Sequence, residues 1–323
     1  MIDAAIVGIG WWGRNIVRAV QGKSRKIRFI RGVSKEPHAV RAFAAEFGFE
    51  LSENLSDVLS DPRVRAVVLA TPHSLHTRQI VEVADSGRAV FCEKPLALTK
   101  ADALVSIAAC RRNGVVLGLG TNKRFWPANR ELKRMLGEAP LGDILHVEGH
   151  YSNANSGAHF SEWRTLKEEA PGAGMTGAGI HVLDALVSLA GPVREAYAQA
   201  ISRKPQPNPL DTVTVVLRFA NDVSGVLATV RSSPFYWRIH VFGSHGSLEA
   251  LGEDEVVLRM RGCKPEVFRF DAVDSLLVEF DAYADAVDGK RPYIATPAEM
   301  IATVSAFEAI VESIETGRPV QVG

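Results

Sequence analysis

Three groups of residues in this chain have the types and spacing to do chemistry. The first opens the sequence. An apolar strand, Ala4–Val7, runs into Gly8, Gly10 and Gly13, and a helix follows to Val20. This is G-x-G-x-x-G between strand and helix, the context in which the pattern means dinucleotide binding. The first glycine permits the tight turn, the second lets a pyrophosphate approach the backbone, and the third lets the helix lie close to the strand. The phosphates then meet the free N–H groups and positive dipole end of the helix. Trp11 and Trp12 stand inside this loop and count with it as cofactor contacts.

The second group is Glu93-Lys94-Pro95, directly after the short apolar strand Ala89–Cys92. A lysine at the carboxyl end of a sheet strand points into the ligand crevice, and the proline behind it restricts the chain. The third group is Asn155–Asp184. Residues 156–174 show little periodicity, and long loops in compact domains are often functional. This stretch carries Trp163 and Arg164 and feeds a helix bearing His181 and Asp184.

The elements that must position these groups repeat as strand and helix through the first 120 residues. Ile27–Ser34 reads as the second strand. The dinucleotide pattern expects an acid about 20 residues past its last glycine, to hold the ribose of NAD. Ser34 and Lys35 stand there instead, 21 and 22 residues past Gly13, and residues 21–41 hold seven Lys/Arg against one acid, Glu36. A hydroxyl beside a lysine suits a 2′-phosphate, so NADP is expected, with NAD as the alternative.

Pro37–Phe47 is a helix stopped by Gly48, and Ser56–Leu59 a short one. Val64–Thr71 is a near-continuous apolar strand, as a doubly covered parallel sheet requires. Beyond it, Thr71, Pro72 and His76 border the cofactor crevice, with Glu93 and Lys94 opposite. His73 and His76 lack a cysteine or carboxylate at ligand spacing, so they read as polar groups at a helix start and no metal is expected. The helix Leu75–Ser86 leads to Ala89–Cys92. Thr99 with Asp102 then forms a capping box for a helix whose buried stripe is Leu104, Ile107 and Ala108, before a strand Val115–Leu119.

The remainder is strand-rich. Ile144–Asn153, Val193–Ser202, Asp211–Ala220, Val223–Ser232, Arg238–Gly243, Ser247–Leu251 and Val256–Met260 read as strands, with Asn221-Asp222 a two-residue hairpin. Lys204–Pro209 reads as a proline-rich surface loop. Leu276, Phe280, Tyr283 and Val287 mark one helix. Thr296-Pro297 starts another with a stripe of Met300, Val304, Phe307, Val311 and Ile314. The expected architecture is α/β: a doubly wound parallel sheet over residues 1–120, then an α+β domain over 121–323 with a mostly antiparallel open sheet.

Composition narrows the partners. Of 323 residues, Lys+Arg and Asp+Glu number 37 each, so no overall basic field recruits nucleic acid or an anionic membrane. No apolar run reaches the roughly 20 residues of a membrane span. Cys92, Cys110 and Cys263 are odd in number and far apart, and with the first strand beginning near residue 4 no leader is expected. A cytoplasmic protein with a small-molecule substrate is the expectation. Gly22-Lys23-Ser24 imitates a P-loop ending but lacks its first glycine, and no G-x-S-x-G nucleophile turn occurs.

Taken together, GIGWWG, ATPHSLH at 70–76, CEKPLAL at 92–98, NKRFWP at 122–127 and MTGAGIHVLDAL at 175–186 resemble, in order, the Gfo/Idh/MocA oxidoreductases. The resemblance implies hydride transfer between NAD(P) and a carbinol carbon, commonly of a sugar or cyclitol, and a homo-oligomer, dimer or tetramer, packed through the second domain. It implies His181 as acid/base and Lys94 as the cation that steadies a developing alkoxide or polarises a carbonyl. Asp184 would orient His181 or neutralise charge nearby. Lys94, Arg124, Trp163, Arg164 and His181 would meet the substrate, and the arginines suit a carboxylate or phosphate. The family motif D-x-G-x-H places an aspartate four residues before the histidine; Gly177 occupies that position here. Two alternatives follow from Gly177 and from relatives that retain NAD: a non-catalytic NADP-binding regulator, and an NAD-dependent glycoside hydrolase acting by transient oxidation.

Overall fold

A computed structural model describes residues 1–153, 162–203 and 211–323. Two compact units form, one from residues 1–97, 101–122 and 274–297, the other from 98–100, 123–273 and 298–323.

In the first unit, β1 (Ile2–Val7), α1 (Trp11–Val20), β2 (Ile27–Val33), α2 (Pro37–Phe47), β3 (Glu50–Ser52) and α3 (Leu55–Leu59) lead to β4 (Ala66–Leu69). Then come α4 (His76–Asp85), β5 (Ala89–Glu93), α5 (Lys100–Arg112) and β6 (Leu117–Gly120). The six strands pair in parallel in the order β3-β2-β1-β4-β5-β6. Every residue of β4 and β5 is buried, which is why β4 and the first four residues of β5 are unbroken apolar runs, with Glu93 ending β5. The order reverses between β1 and β4, and ligands in such sheets bind beyond the strand ends at that reversal. The three-residue β3 is too short to leave a period in the sequence. In α5 the expected stripe is displaced: Ala103, Ser106, Ala109 and Cys110 face inward, while Leu104 is 45% exposed. Small side chains let this helix approach its neighbours, and they carry too little hydrophobic contrast to announce their face.

The second unit opens with α6 (Pro127–Glu138) and β7 (Ile144–Ser152) and resumes with α7 (Ile180–Ala190), β8 (Val193–Ser202), β9 (Asp211–Phe219) and β10 (Ser224–Val230). β11 (Tyr236–Gly243), β12 (Gly246–Leu251), β13 (Glu255–Met260) and β14 (Glu266–Arg269) follow. With the terminal β15 (Val320–Gln321) they make a nine-stranded sheet, β14-β13-β12-β11-β7-β10-β9-β8-β15. All described pairings in it are antiparallel except β7 with β10. The β9–β10 hairpin turns at Asn221-Asp222, with Asp222 at φ 64° and the Phe219 N–H donating to the Val223 carbonyl at 2.9 Å. Helix α7 packs on β7, and a Cβ at Gly149 would collide with Val182. The expected loop at Lys204–Pro209 and the first part of the 156–174 stretch lie outside the described residues.

Two helices, α8 (Ser275–Val287) and α9 (Pro297–Thr316), precede β15. The expected division at residue 120 places α8 in the second domain, but it belongs to the first unit. Phe280 packs on Phe91 at 4.5 Å between ring centroids and meets Phe29 edge-on at 6.3 Å. Tyr283 fills the space left by Gly118, whose Cβ would sit 2.7 Å from its ring. Glu279 accepts the Thr121 N–H at 2.7 Å, and the Tyr293 hydroxyl donates to the Leu119 carbonyl at 2.7 Å. Periodicity shows that a helix buries a face; it does not show against what.

The second sheet also buries a histidine. His240 on β11 is 6% exposed and stacks on Phe242 at 3.8 Å. Arg238 Nη2 donates to its Nδ1 at 2.6 Å, which requires that nitrogen to be unprotonated. Burial, reinforced by Arg238 and Arg259 against the pull of Glu249, depresses its pKa to about 4. The neutral ring is therefore the native form, while the unfolded chain takes up a proton near pH 6.5. Stability from this site is complete above that pH and is lost as pH falls toward about 4. In thermal melts, His240→Gln should flatten the acid-side loss by on the order of 1–2 kcal/mol. An acid limb identical to that of the parent protein contradicts this.

Candidate functional site: a dinucleotide cradle and a histidine-bearing helix

The glycine loop in the first unit has three glycines with three different reasons. Gly8 adopts φ 94°, and a Cβ there would fall 2.5 Å from the Ala70 carbonyl oxygen, so β1 and β4 could not close at their ends. Gly13 sits in α1 with its missing Cβ directed into the Gly8 carbonyl. Gly10 differs. It is the extended N-cap of α1, no side chain caps the helix there, and a Cβ would meet nothing within 4 Å. The protein's own packing leaves the helix N-terminus open at Gly10, which fits a pyrophosphate on the backbone N–H groups. Trp11 is 45% exposed beside it, its ring 5.5 Å from that of Trp12. Trp12 Nε1 is buried without a hydrogen-bond partner among the described residues.

Ser34 follows β2 directly, and its hydroxyl accepts the Glu36 N–H at 3.2 Å, which shapes a turn that leaves Lys35 exposed. Across the strand ends, the Thr71 hydroxyl donates to Gln79 at 2.6 Å. His76 is fully buried. Its ring lies between the Pro95 and Thr71 carbonyls, Nδ1 at 2.8 Å from the first and Nε2 at 3.1 Å from the second. His76 thus bridges the segments that follow β4 and β5. Pro72 caps the short 3₁₀ turn His73–Leu75 that leads into α4. Glu93 is buried, its carboxylate in the space where a Gly120 Cβ would stand, and it accepts the Lys94 N–H at 3.3 Å. Lys94 is half-buried, and its peptide bond to Pro95 is cis. Among the described residues no group of three His, Cys, Asp or Glu is arranged to hold a metal ion.

In the second unit a five-residue π-helical turn, Met175–Gly179, leads into α7. It packs against β7 and β10, and His181 stands in the first turn of α7 with its ring edge-on to Tyr151 at 6.3 Å. Gly177 is exposed, and a Cβ there would also meet nothing within 4 Å, so steric crowding does not explain the glycine.

Arg124 and Asp184 are paired with each other. Arg124 Nε and Nη2 each donate to Asp184 at 2.7 Å, and Nη1 donates to Glu299 at 3.0 Å. Both side chains of the Arg124–Asp184 pair are 6% exposed. Burial works against the guanidinium charge, yet the two carboxylates more than offset it and hold Arg124 above its usual pKa. Both Asp184 oxygens accept from Arg124, which ties α7 to the turn that carries Arg124. Trp163 and Arg164 share the 3₁₀ turn Glu162–Thr165, the guanidinium 4.7 Å from the indole centroid.

Sequence reasoning missed Lys123 and the rings around it. Its ammonium lies 3.9 Å from the Trp126 ring centroid, 4.5 Å from Tyr151 and 5.6 Å from Trp237. The only sequence signal was its place in NKRFWP, where Arg124 drew attention first.

Comparison with known proteins decides the family. The model described as "Oxidoreductase family, NAD-binding Rossmann fold" matches residues 2–121, and the GFO/IDH/MocA C-terminal domain matches 129–249. The chain belongs to the Gfo/Idh/MocA oxidoreductase family. This Gfo/Idh/MocA member is 27% identical over 342 residues to scyllo-inositol 2-dehydrogenase (NAD(+)) of Bacillus subtilis, covering 99% of this chain and 96% of the relative. It is 24% identical over 336 residues to 1,5-anhydro-D-fructose reductase of Ensifer adhaerens, covering 100% and 97%. Its fold matches the WlbA dehydrogenase of Bordetella pertussis, solved with NADH and UDP-GlcNAcA, at TM-score 0.87 and 23% identity, covering 100% and 98%. It is an NAD(P)-dependent oxidoreductase with a Rossmann unit, as its family is.

The three glycines separate packing from ligand binding. Gly13→Ala should lower stability by about 1–3 kcal/mol, because a methyl is forced into the Gly8 carbonyl. Gly10→Ala should melt like the parent protein and weaken NAD(P)H binding by about tenfold or more, read by fluorescence titration. Parent-like cofactor affinity in Gly10→Ala would contradict the cradle.

Proposed function

We propose that this chain is an NADP(H)-dependent dehydrogenase or reductase acting on a carbinol carbon of a sugar, cyclitol or related polyhydroxy compound. The open N-terminus of α1 at Gly10 carries the reading, because it leaves room that a bound pyrophosphate needs. The choice of NADP is supported by Ser34 and the exposed Lys35 after β2, where an NAD-selective site would hold an acid. The substrate class is supported by the relatives, one named for scyllo-inositol and another for 1,5-anhydro-D-fructose.

The dinucleotide, when bound, supplies or accepts the hydride. The residues of this chain do the rest. The open loop Gly8–Gly13 orients the cofactor through backbone N–H groups, with Trp11 and Trp12 at its side. In the oxidative direction His181 takes the proton of the substrate hydroxyl as the carbinol hydrogen departs; in the reductive direction it returns that proton. Lys94 holds its ammonium against the same oxygen, where negative charge develops. Proton and hydride leave by different routes, so the alcohol and carbonyl forms balance without a further reactant.

One experiment tests both parts. Polyols and keto-sugars should turn over with NADPH or NADP⁺ in preference to NADH or NAD⁺. Lys94→Met and His181→Asn should each reduce turnover by about a hundredfold or more, with cofactor affinity nearly unchanged. Parent-like turnover in either variant removes the assigned roles, and tighter binding of NADH than NADPH removes the NADP preference.

A further inference from the structure

One arginine on the helix of the glycine loop is held in a way that pyrophosphate binding does not call for. Arg14 directly follows Gly13 and is half-buried in α1. Its Nη2 donates to the Ala39 carbonyl of α2 at 3.2 Å, and its Nε donates to the Ile9 carbonyl at 3.4 Å. The guanidinium carbon lies over the Phe43 ring, 5.3 Å from its centroid. The side chain therefore joins the glycine loop to α2, the helix that follows Ser34 and Lys35.

Packing fixes the partners of this guanidinium. Ile9 is buried against Gly32 of β2, where a Cβ would sit 2.8 Å from Ile9 Cδ1 and 2.6 Å from the Phe49 ring. Phe43 is buried as well, with Phe47 at 4.6 Å and Phe49 edge-on at 6.2 Å between ring centroids. The Gly8 N–H donates at 3.0 Å to the carbonyl of Val33, the residue before Ser34. The glycine loop thus runs beside the end of β2, and Arg14 is anchored on both sides of the turn that carries Ser34 and Lys35.

The charge of Arg14 is handled differently from that of its neighbours. Arg28, Arg31, Arg63, Arg65 and Arg112 of the same unit each donate to an Asp or Glu. Arg14 donates to neutral carbonyls, and among the described residues it forms no ion pair with a carboxylate. Its Nη1 takes part in neither carbonyl bond and keeps its N–H donors for another acceptor. The Ser34 hydroxyl accepts the Glu36 N–H at 3.2 Å, which leaves its own proton to donate, and Lys35 is exposed.

We propose that Arg14 is the cofactor-specificity residue, its guanidinium joining the Ser34 hydroxyl and the Lys35 ammonium around the 2′-phosphate of NADP. A phosphate dianion needs several donors in a fixed array, and a guanidinium presents them in a planar fork that matches phosphate oxygens. Ser34 and Lys35 supply a hydroxyl and a flexible ammonium; Arg14 supplies the rigid member, oriented in advance by Ile9, Ala39 and Phe43. NADH would bring only a ribose hydroxyl to the same donors. The inference rests on the NADP reading above and names the residue that enforces it.

NADPH and NADH serve as probes because they differ only at the 2′-phosphate. In isothermal titration, Arg14→Met and Arg14→Gln should each weaken NADPH at least about tenfold and NADH less than about threefold. Adenosine 2′,5′-bisphosphate and AMP, which lack the nicotinamide end, should follow the same order. Arg14→Lys, which restores the charge, should recover part of the loss, with thermal melting as the folding control. A merely structural tie between the loop and α2 predicts equal losses for both cofactors. Equal losses, or parent-like NADPH affinity in Arg14→Met or Arg14→Gln, overturn the assignment of Arg14, and an NADPH preference in the parent protein then leaves the NADP reading standing. Tighter binding of NADH by the parent protein removes that reading and this assignment with it.

Discussion

A buried guanidinium shared by two carboxylates holds the second unit's chemistry in place. Arg124 reaches Asp184 on α7 and Glu299 on α9 from the short turn Asn122–Phe125. Desolvating three charges is costly, and removing one partner from such a cluster typically costs about 3–5 kcal/mol. The return is positional. Asp184 lies three residues beyond His181 on the same helix, and Lys123 immediately precedes Arg124. One ion cluster therefore fixes the helix that carries the proposed acid/base to the turn Asn122–Phe125. The residues that appear most chemical in this part of the sequence serve as its frame.

The first unit meets the opposite demand. There the backbone itself must be exposed at one point and closely packed on either side of it. Gly8 and Gly13 let β1, α1 and the end of β4 close on one another, and Gly10 keeps the mouth of the helix open. His76 then fastens the segment after β4 to that after β5. A rigid rim around an uncapped helix end suits a large anionic cofactor, since binding then demands little reordering of the protein.

Much of this was legible before any coordinates. The parallel sheet shows itself because strands buried on both faces are continuous apolar runs, and the glycine loop because three residues without side chains must fall at fixed steps. The outer sheet strands β14 and β15 were not legible, being short and largely exposed. The buried face of α5 differs from its expected stripe because alanine, serine and cysteine give little contrast between buried and exposed sides. Residues 274–297 joined the first unit through Phe280 and Tyr283, contacts more than a hundred residues long in sequence that no local period records. The pairing of Arg124 with Asp184 spans 60 residues, and the aromatic cage draws on three separate strands and turns. Charge type and spacing identified these residues as important without showing which groups would pair.

Hydride transfer between the dinucleotide and a carbinol carbon is the proposed activity. It is tested most directly by giving the protein NADPH deuterated at its transferable position together with a panel of keto-sugars and inososes. Deuterium should appear on the carbinol carbon of the alcohol product, seen by NMR and mass spectrometry, in step with loss of the reduced cofactor. Cofactor binding with no deuterium in any product, or a product formed with the label still on the cofactor, would contradict it.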